Sequence, residues 1–224
     1  MPDPLHYPFW LASRSAGVVA YLLLSASVVL GLAMATRLAP VRDLRVVHER
    51  IALLALGAVA AHGLFLIPDS WLKPTLPQLL VPFAGGYRPL WTGLGILAAY
   101  GAAGLSLTYY ARRRIGHRRW RAAHRFIPIA WALSAAHVIG AGTDVVSLWL
   151  EVILAATIAA IAVLLVQRGL AGRTQPAGRE PARAGGGSAG TEPAPPGPAP
   201  DRREVPAGAP PPERKYAGEL GLFR

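Results

Sequence analysis

A succession of apolar runs near twenty residues long between Trp10 and Leu170 constrains this chain more than any other feature. A run of that length suits a helix crossing a bilayer core of about 30 Å. Leu, Ala, Val and Gly dominate five such runs, over residues 10–36, 48–67, 89–111, 123–141 and 146–168. The expected fold class is therefore all-α, an integral membrane helical bundle of about five transmembrane helices. After Gly169 the apolar runs stop, and Ala184-Gly-Gly-Gly-Ser, Ala194-Pro-Pro-Gly-Pro and Ala209-Pro-Pro-Pro follow. A segment of that composition buries too little surface to fold alone. The chain thus divides into an extracytoplasmic segment at 1–9, a helical membrane domain at 10–168, and a disordered, Pro/Gly/Ala-rich cytoplasmic tail at 169–224.

The net charge of +11 would raise the question of nucleic acid in a soluble protein. Here the arginines gather at the ends of the apolar runs, so membrane lipid and not nucleic acid is the expected partner. Arg37, Arg42, Arg45 and Arg50 lie between the first and second runs, and Arg112, Arg113, Arg114, Arg118, Arg119, Arg121 and Arg125 between the third and fourth. The alternate loops hold only Lys73 and Arg88 as basic residues, and Asp144. Positive charge stays on the cytoplasmic side. This predicts a multi-pass protein of the cell membrane with its N-terminus outside and its tail, led by Arg168 and Arg173, inside. A secretory signal is the alternative for the first run, but Leu11 to Met34 is long for a signal core and reads as a span.

With no cysteine in the chain, disulfides, iron–sulfur clusters and thiolate ligation of haem are excluded, and histidine becomes the main candidate metal ligand. Four histidines fall as two pairs, His48 with His62 and His124 with His137. Fourteen and thirteen helical residues rise roughly 21 and 20 Å, which puts one histidine of each pair near each membrane face. The second and fourth spans run parallel in the expected topology, so His48 levels with His124 at the inner face and His62 with His137 at the outer. Imidazole is an axial ligand of haem iron, and a buried ring needs a partner to offset desolvation. Two bis-histidine haem sites would satisfy all four. The plainer readings are a helix-to-helix hydrogen bond for His62 and His137 and simple interfacial tolerance for His48 and His124, beside Glu49, Arg50 and Arg125. His117 reads as a solvated loop residue and His6 as exposed.

Helical geometry raises one difficulty. At about 100° per residue, fourteen steps return within about 40° of the starting face, whereas thirteen leave His137 about 140° from His124. Pro128 removes the amide that would bond to the His124 carbonyl, so rewinding or a kink is expected there.

The histidine pairs, the Arg-rich loop ending in Trp120-Arg-Ala-Ala-His124-Arg, and the segment Tyr87-Arg-Pro-Leu-Trp-Thr-Gly resemble the ferric reductase-like transmembrane domain family over residues 10–168. That family includes ferric reductases, NADPH oxidases and the haem subunit of bacterial methionine-sulfoxide reductase systems. The resemblance implies a helical bundle that carries b-type haem, two per chain, and moves electrons across the membrane, with His48, His62, His124 and His137 as axial ligands. It departs from the full-length oxidases in lacking a flavin and nicotinamide domain, since the proline-rich tail has no dinucleotide fingerprint. Flavin would then come only through a partner, a separate cytoplasmic flavin reductase acting as donor. The extracytoplasmic acceptor is left open among ferric iron, oxygen, a quinone and a partner protein. Five spans are counted where the family commonly has six.

Arg50, Arg88 and Arg125 lie at levels where haem propionates would emerge and suit carboxylates geometrically; for the first and last, positive-inside anchoring explains them as well. Glycines 57, 63, 93, 95, 101, 104 and 140 permit close approach of a macrocycle or a neighbouring helix. Trp10, Trp71, Trp91, Trp120 and Trp149 sit near span ends, as in an aromatic belt. Three competing readings stay open: a quinone-linked cytochrome b, a bundle using its histidines for metal or proton transport, and a scaffold whose tail recruits a partner. Glu151 is almost the sole acidic residue within the spans, which speaks against proton transport.

Overall fold

A computed structural model describes residues 8–36 and 41–173. These form seven helices and no strand: α1 (Pro8–Ala35), α2 (Val41–Leu66), α3 (Leu76–Leu80), α4 (Pro89–Ile115), α5 (His117–His124), α6 (Ile127–Ala141) and α7 (Leu148–Arg173). Four of them are long and apolar enough to cross a membrane, over Pro8–Ala35, Leu44–Leu66, Pro89–Ile115 and Leu148–Leu170. The protein is an all-α membrane helical bundle.

The expected span at 123–141 takes a different form. It is two helices, α5 and α6, separated at Arg125 and Phe126, and α6 alone has 15 residues, a rise of about 22 Å. The cause is local. Pro128 occupies the first turn of α6, where its missing N–H costs nothing, and cannot donate back to His124. The chain tightens instead through the Phe126 amide to the Ala123 carbonyl at 3.0 Å and the Ile129 amide to the Phe126 carbonyl at 2.9 Å, bonds of the three-residue kind that end helices. Two further boundaries move. α2 starts well before His48, so that histidine lies inside a helix, and α7 continues through Gly169 to Arg173, because one glycine costs a helix only about 1 kcal/mol. The first residues of the expected tail are thus helical. His6, Arg37 and the remainder of the tail lie outside the described residues.

The bundle is built from two antiparallel helix pairs. α2 packs along α1 and α6 along α4, whereas α2 and α4 meet lightly; α1 joins the pairs by also touching α6 and α7. A shared core of Tyr21, Leu24, Val28, Leu32, Ala55, Ala102, Ala130, Trp131, Ala135, Leu150, Leu154 and Ile161 runs between them. Trp131 is its largest anchor, stacked on Tyr21 at 6.5 Å with its indole N–H donated to the Ser25 hydroxyl at 2.9 Å. Tyr21 in turn shares a 2.7 Å hydrogen bond with Thr157 of α7. At the end away from the Arg-rich loop, Arg14 of α1 pairs with both carboxylate oxygens of Asp144 in the α6–α7 loop through the Nε–Nη2 edge of its guanidinium, and Tyr100 donates to the Leu80 carbonyl at 2.6 Å, pinning α3 to α4. Truncating a large buried aromatic costs about 3–5 kcal/mol, so Trp131→Ala is expected to lower stability by that order. Reversible unfolding in mixed micelles measures it, and a loss under about 1 kcal/mol would show that the two pairs hold together without this contact.

Candidate paired-histidine site

His48 and His62 lie on α2 with their supports on α1, and His137 lies on α6 with its support on α4. On α1, Ser13 and Ser27 stand fourteen residues apart, each followed four positions later by a glycine, Gly17 and Gly31. His62 of α2 donates its Nδ1 proton to the Ser13 carbonyl at 2.8 Å, and the Ser13 hydroxyl donates back to the His62 carbonyl at 2.8 Å. His48 has Nδ1 3.3 Å from the Ser27 hydroxyl. Gly17 and Gly31 make room for these rings: a Cβ on Gly17 would stand 2.9 Å from His62 Nδ1, and one on Gly31 3.3 Å from His48 Cε1. On α4 the same arrangement recurs. His137 donates Nδ1 to the Trp91 carbonyl at 2.9 Å, and Gly95, four residues on, lies flat against the ring, where a Cβ would meet Nδ1 at 2.5 Å.

The chemistry follows from the acceptors. A carbonyl cannot donate, so His62 and His137 hold their proton on Nδ1 and carry the lone pair on Nε2. The Nδ1 edges of His48, His62 and His137 are turned toward α1 and α4, and no Nε2 makes a hydrogen bond among the described residues. A ligating imidazole is commonly prepared in this way, with the far nitrogen bonded to a carbonyl and the near one free to coordinate.

The four rings meet in two pairs across the space between α2 and α6. His48 and His124 have ring centres 6.3 Å apart with planes at 89°, and His62 and His137 are 6.2 Å apart at 74°. The break at Arg125–Phe126 is what turns His124 to this side, and it removes the 140° mismatch of an uninterrupted helix. Two metal–imidazole bonds of about 2.0–2.1 Å in line place the centres of two axial rings roughly 6.3 Å apart, once the distance from each nitrogen to its ring centre is included. The residues present therefore fit a metal held between two imidazoles. They do not fit a bare ion held by protein alone, since no group of three or more His, Asp or Glu side chains occurs among the described residues.

The arginines are distributed unevenly about these pairs. Arg88 caps α4 in the left-handed region at φ 41° and donates to the Gly140 carbonyl at 2.6 Å, beside His137. With Pro89, Leu90, Trp91 and Gly140 it lines a shallow, open depression. Arg125 donates to the Ala122 carbonyl of its own turn at 3.1 Å, and both it and Arg50 are exposed. Of the glycines singled out from sequence, Gly95 and Gly140 seat His137 and Trp91, Gly93 lies under Phe83, Gly101 faces Ala130, and Gly57, Gly63 and Gly104 face open space. Trp10 and Trp71 meet edge to face at 5.7 Å, whereas Trp120 stacks on His124 and the Trp91 ring packs over Gly140.

Ser13, Gly17, Ser27 and Gly31 were not anticipated from sequence. The signal was there: a Ser-x-x-x-Gly unit occurs twice on α1 at the same fourteen-residue interval as the histidines of α2. No family model, curated protein or solved structure matches the chain.

Overpacking a fixed ring costs about 1–3 kcal/mol, whereas an unhindered Gly→Ala in a helix gains about 0.5–1 kcal/mol. Gly95→Ala is therefore expected to destabilise the protein and Gly57→Ala to stabilise it, and opposite shifts in detergent thermal unfolding check the pair. Equal shifts would show that Gly95 does not seat His137.

Proposed function

We propose that this protein is a membrane electron conduit that carries two b-type haems, one between His48 and His124 and one between His62 and His137. The observation that carries the reading is the pair of ring separations, 6.3 and 6.2 Å, on imidazoles of which three bond through Nδ1 to the helix behind them. The bound group would supply one-electron redox chemistry. The chain's part is to hold the imidazoles, fix the tautomer, keep the surroundings apolar and set local charge.

Each pair offers two ligands and no third, which suits a macrocycle supplying the other four and argues against a zinc or copper carrier, where the protein itself completes the coordination. Fourteen residues of α2 separate the two levels by roughly 21 Å, so the sites stack along the bundle. Arg88, which donates to the Gly140 carbonyl, would be the residue to meet a propionate on the His137 side. The Arg-rich end, with Arg113, Arg114, Arg118, Arg119 and Arg121 exposed, is taken as the cytoplasmic face. Electrons then enter at His48/His124 from a separate flavin reductase and leave at His62/His137 to an extracytoplasmic acceptor.

A reduced-minus-oxidised spectrum of the purified protein, with pyridine haemochrome for content, tests this. Two b-type haems per chain are expected. His62→Ala and His137→Ala should each remove one and leave the other, as should His48→Ala and His124→Ala for the second site. Expression with ample haem that yields haem-free, folded protein would sink the proposal.

A further inference from the structure

Three of the four imidazoles make an Nδ1 hydrogen bond to the helix behind them, to the Ser13 and Trp91 carbonyls and the Ser27 hydroxyl, and the fourth does not. On α4 the seat of His137 is the Trp91 carbonyl with Gly95. Fourteen residues further on, the corresponding positions are Leu105 and Tyr109. A tyrosine thus stands where the other seats have a glycine; the Leu105 carbonyl lies toward His124 but accepts from the Thr108 hydroxyl at 2.6 Å, and His124 Nδ1 is buried without a hydrogen bond among the described residues.

What holds His124 instead is an aromatic stack. Trp120 and His124, four residues apart on α5, share one face of that helix. Their ring centres are 5.3 Å apart and their planes 27° from parallel. The indole also meets Tyr109, edge-on at 5.7 Å, and Tyr109 is itself covered by the Arg112 guanidinium at 3.7 Å. Rotation about the second side-chain torsion of a histidine is broad and two-fold. A ring lacking a hydrogen bond keeps one orientation only if its faces are confined.

We propose that Trp120 is the positioning residue of the His124 corner, its indole face doing for His124 what an Nδ1 hydrogen bond and a glycine do for the other three imidazoles. The proposal rests on the two-haem reading for its readout, although the difference between the seats belongs to the chain itself. It makes the Arg-rich site the one whose occupancy depends on a stack at the membrane edge, next to the surface where a donor would arrive.

The test uses Trp120→Leu and Trp120→Phe in the full chain, alone and with His62→Ala, which leaves only the Arg-rich site. Trp120→Phe keeps a stacking face and removes an indole N–H that is itself buried without a partner among the described residues, so it should restore wild-type haem content. Trp120→Leu should lose the Arg-rich haem selectively, falling from two haems per chain toward one, with the low-spin electron paramagnetic resonance signal of the other site unchanged. His62→Ala with Trp120→Leu should then hold almost none. If Trp120→Leu does not fold, as judged by helicity and monodispersity, Trp120→Met is read the same way. A folded Trp120→Leu or Trp120→Met with two haems and both low-spin signals intact overturns the positioning role alone. Wild-type protein without haem overturns the conduit reading, and this inference with it.

Discussion

An imidazole placed in an apolar bundle has to put its N–H somewhere, and the architecture depends on where three of these four put theirs. Leaving a buried donor unpaired costs about 1–3 kcal/mol, and lipid offers no alternative acceptor. The carbonyls of Ser13 and Trp91 already accept within their own helices, and a second lone pair takes the imidazole proton. That is possible only where the neighbouring helix approaches closely, and the glycine four residues on permits the approach by presenting no Cβ to the ring. The pairing of α2 with α1 and of α6 with α4 is therefore the same fact as the orientation of the histidines.

The two histidine helices solve the angular problem differently. On α2, fourteen residues are close to four whole turns, so one straight helix presents both rings to one side. The thirteen-residue interval is a poor fit, and the chain interrupts the helix at Arg125–Phe126 so that α5 and α6 aim His124 and His137 independently. Pro128 makes the interruption inexpensive, since the hydrogen bond lost is one it could not have made. At His124, α4 offers Tyr109 in place of a glycine, and the ring stacks on Trp120 instead.

Much of this was legible in the sequence. Run length and composition gave the membrane helices, and levelling the histidines by topology gave the pairs that come together. The angular mismatch together with Pro128 pointed to a distortion, though not to a full break two residues earlier. The glycine reading succeeded only in part. Gly95 and Gly140 seat aromatic rings, but Gly57 and Gly63, which flank His62 in sequence, face away from everything, while Gly17 and Gly31 went unnoticed among the small residues of α1. Spacing within a helix shows which residues share a face, yet the partner helix decides which of those faces is covered. The Ser-x-x-x-Gly repeat becomes informative only when its interval is compared with that of the histidines on the next helix.

The separation between α2 and α6 is fixed by contacts outside the histidine pairs. Trp131 on α6 bonds to Ser25 on α1, Tyr21 on α1 bonds to Thr157 on α7, and Arg14 on α1 bonds to Asp144 in the α6–α7 loop. All three start from α1, the helix that also carries the seats for α2. Because α1 grips α2 through Ser13 and Ser27 and the second helix pair through Ser25, Tyr21 and Arg14, the distance across each imidazole pair is set by one rigid element and not by the rings themselves. A site held open in this way loses little conformational freedom on binding, so the affinity of its ligands is not spent on assembling them. On the haem reading, the protein's control over the cofactor therefore lies as much in the small polar face of α1, which touches no metal, as in the histidines that would.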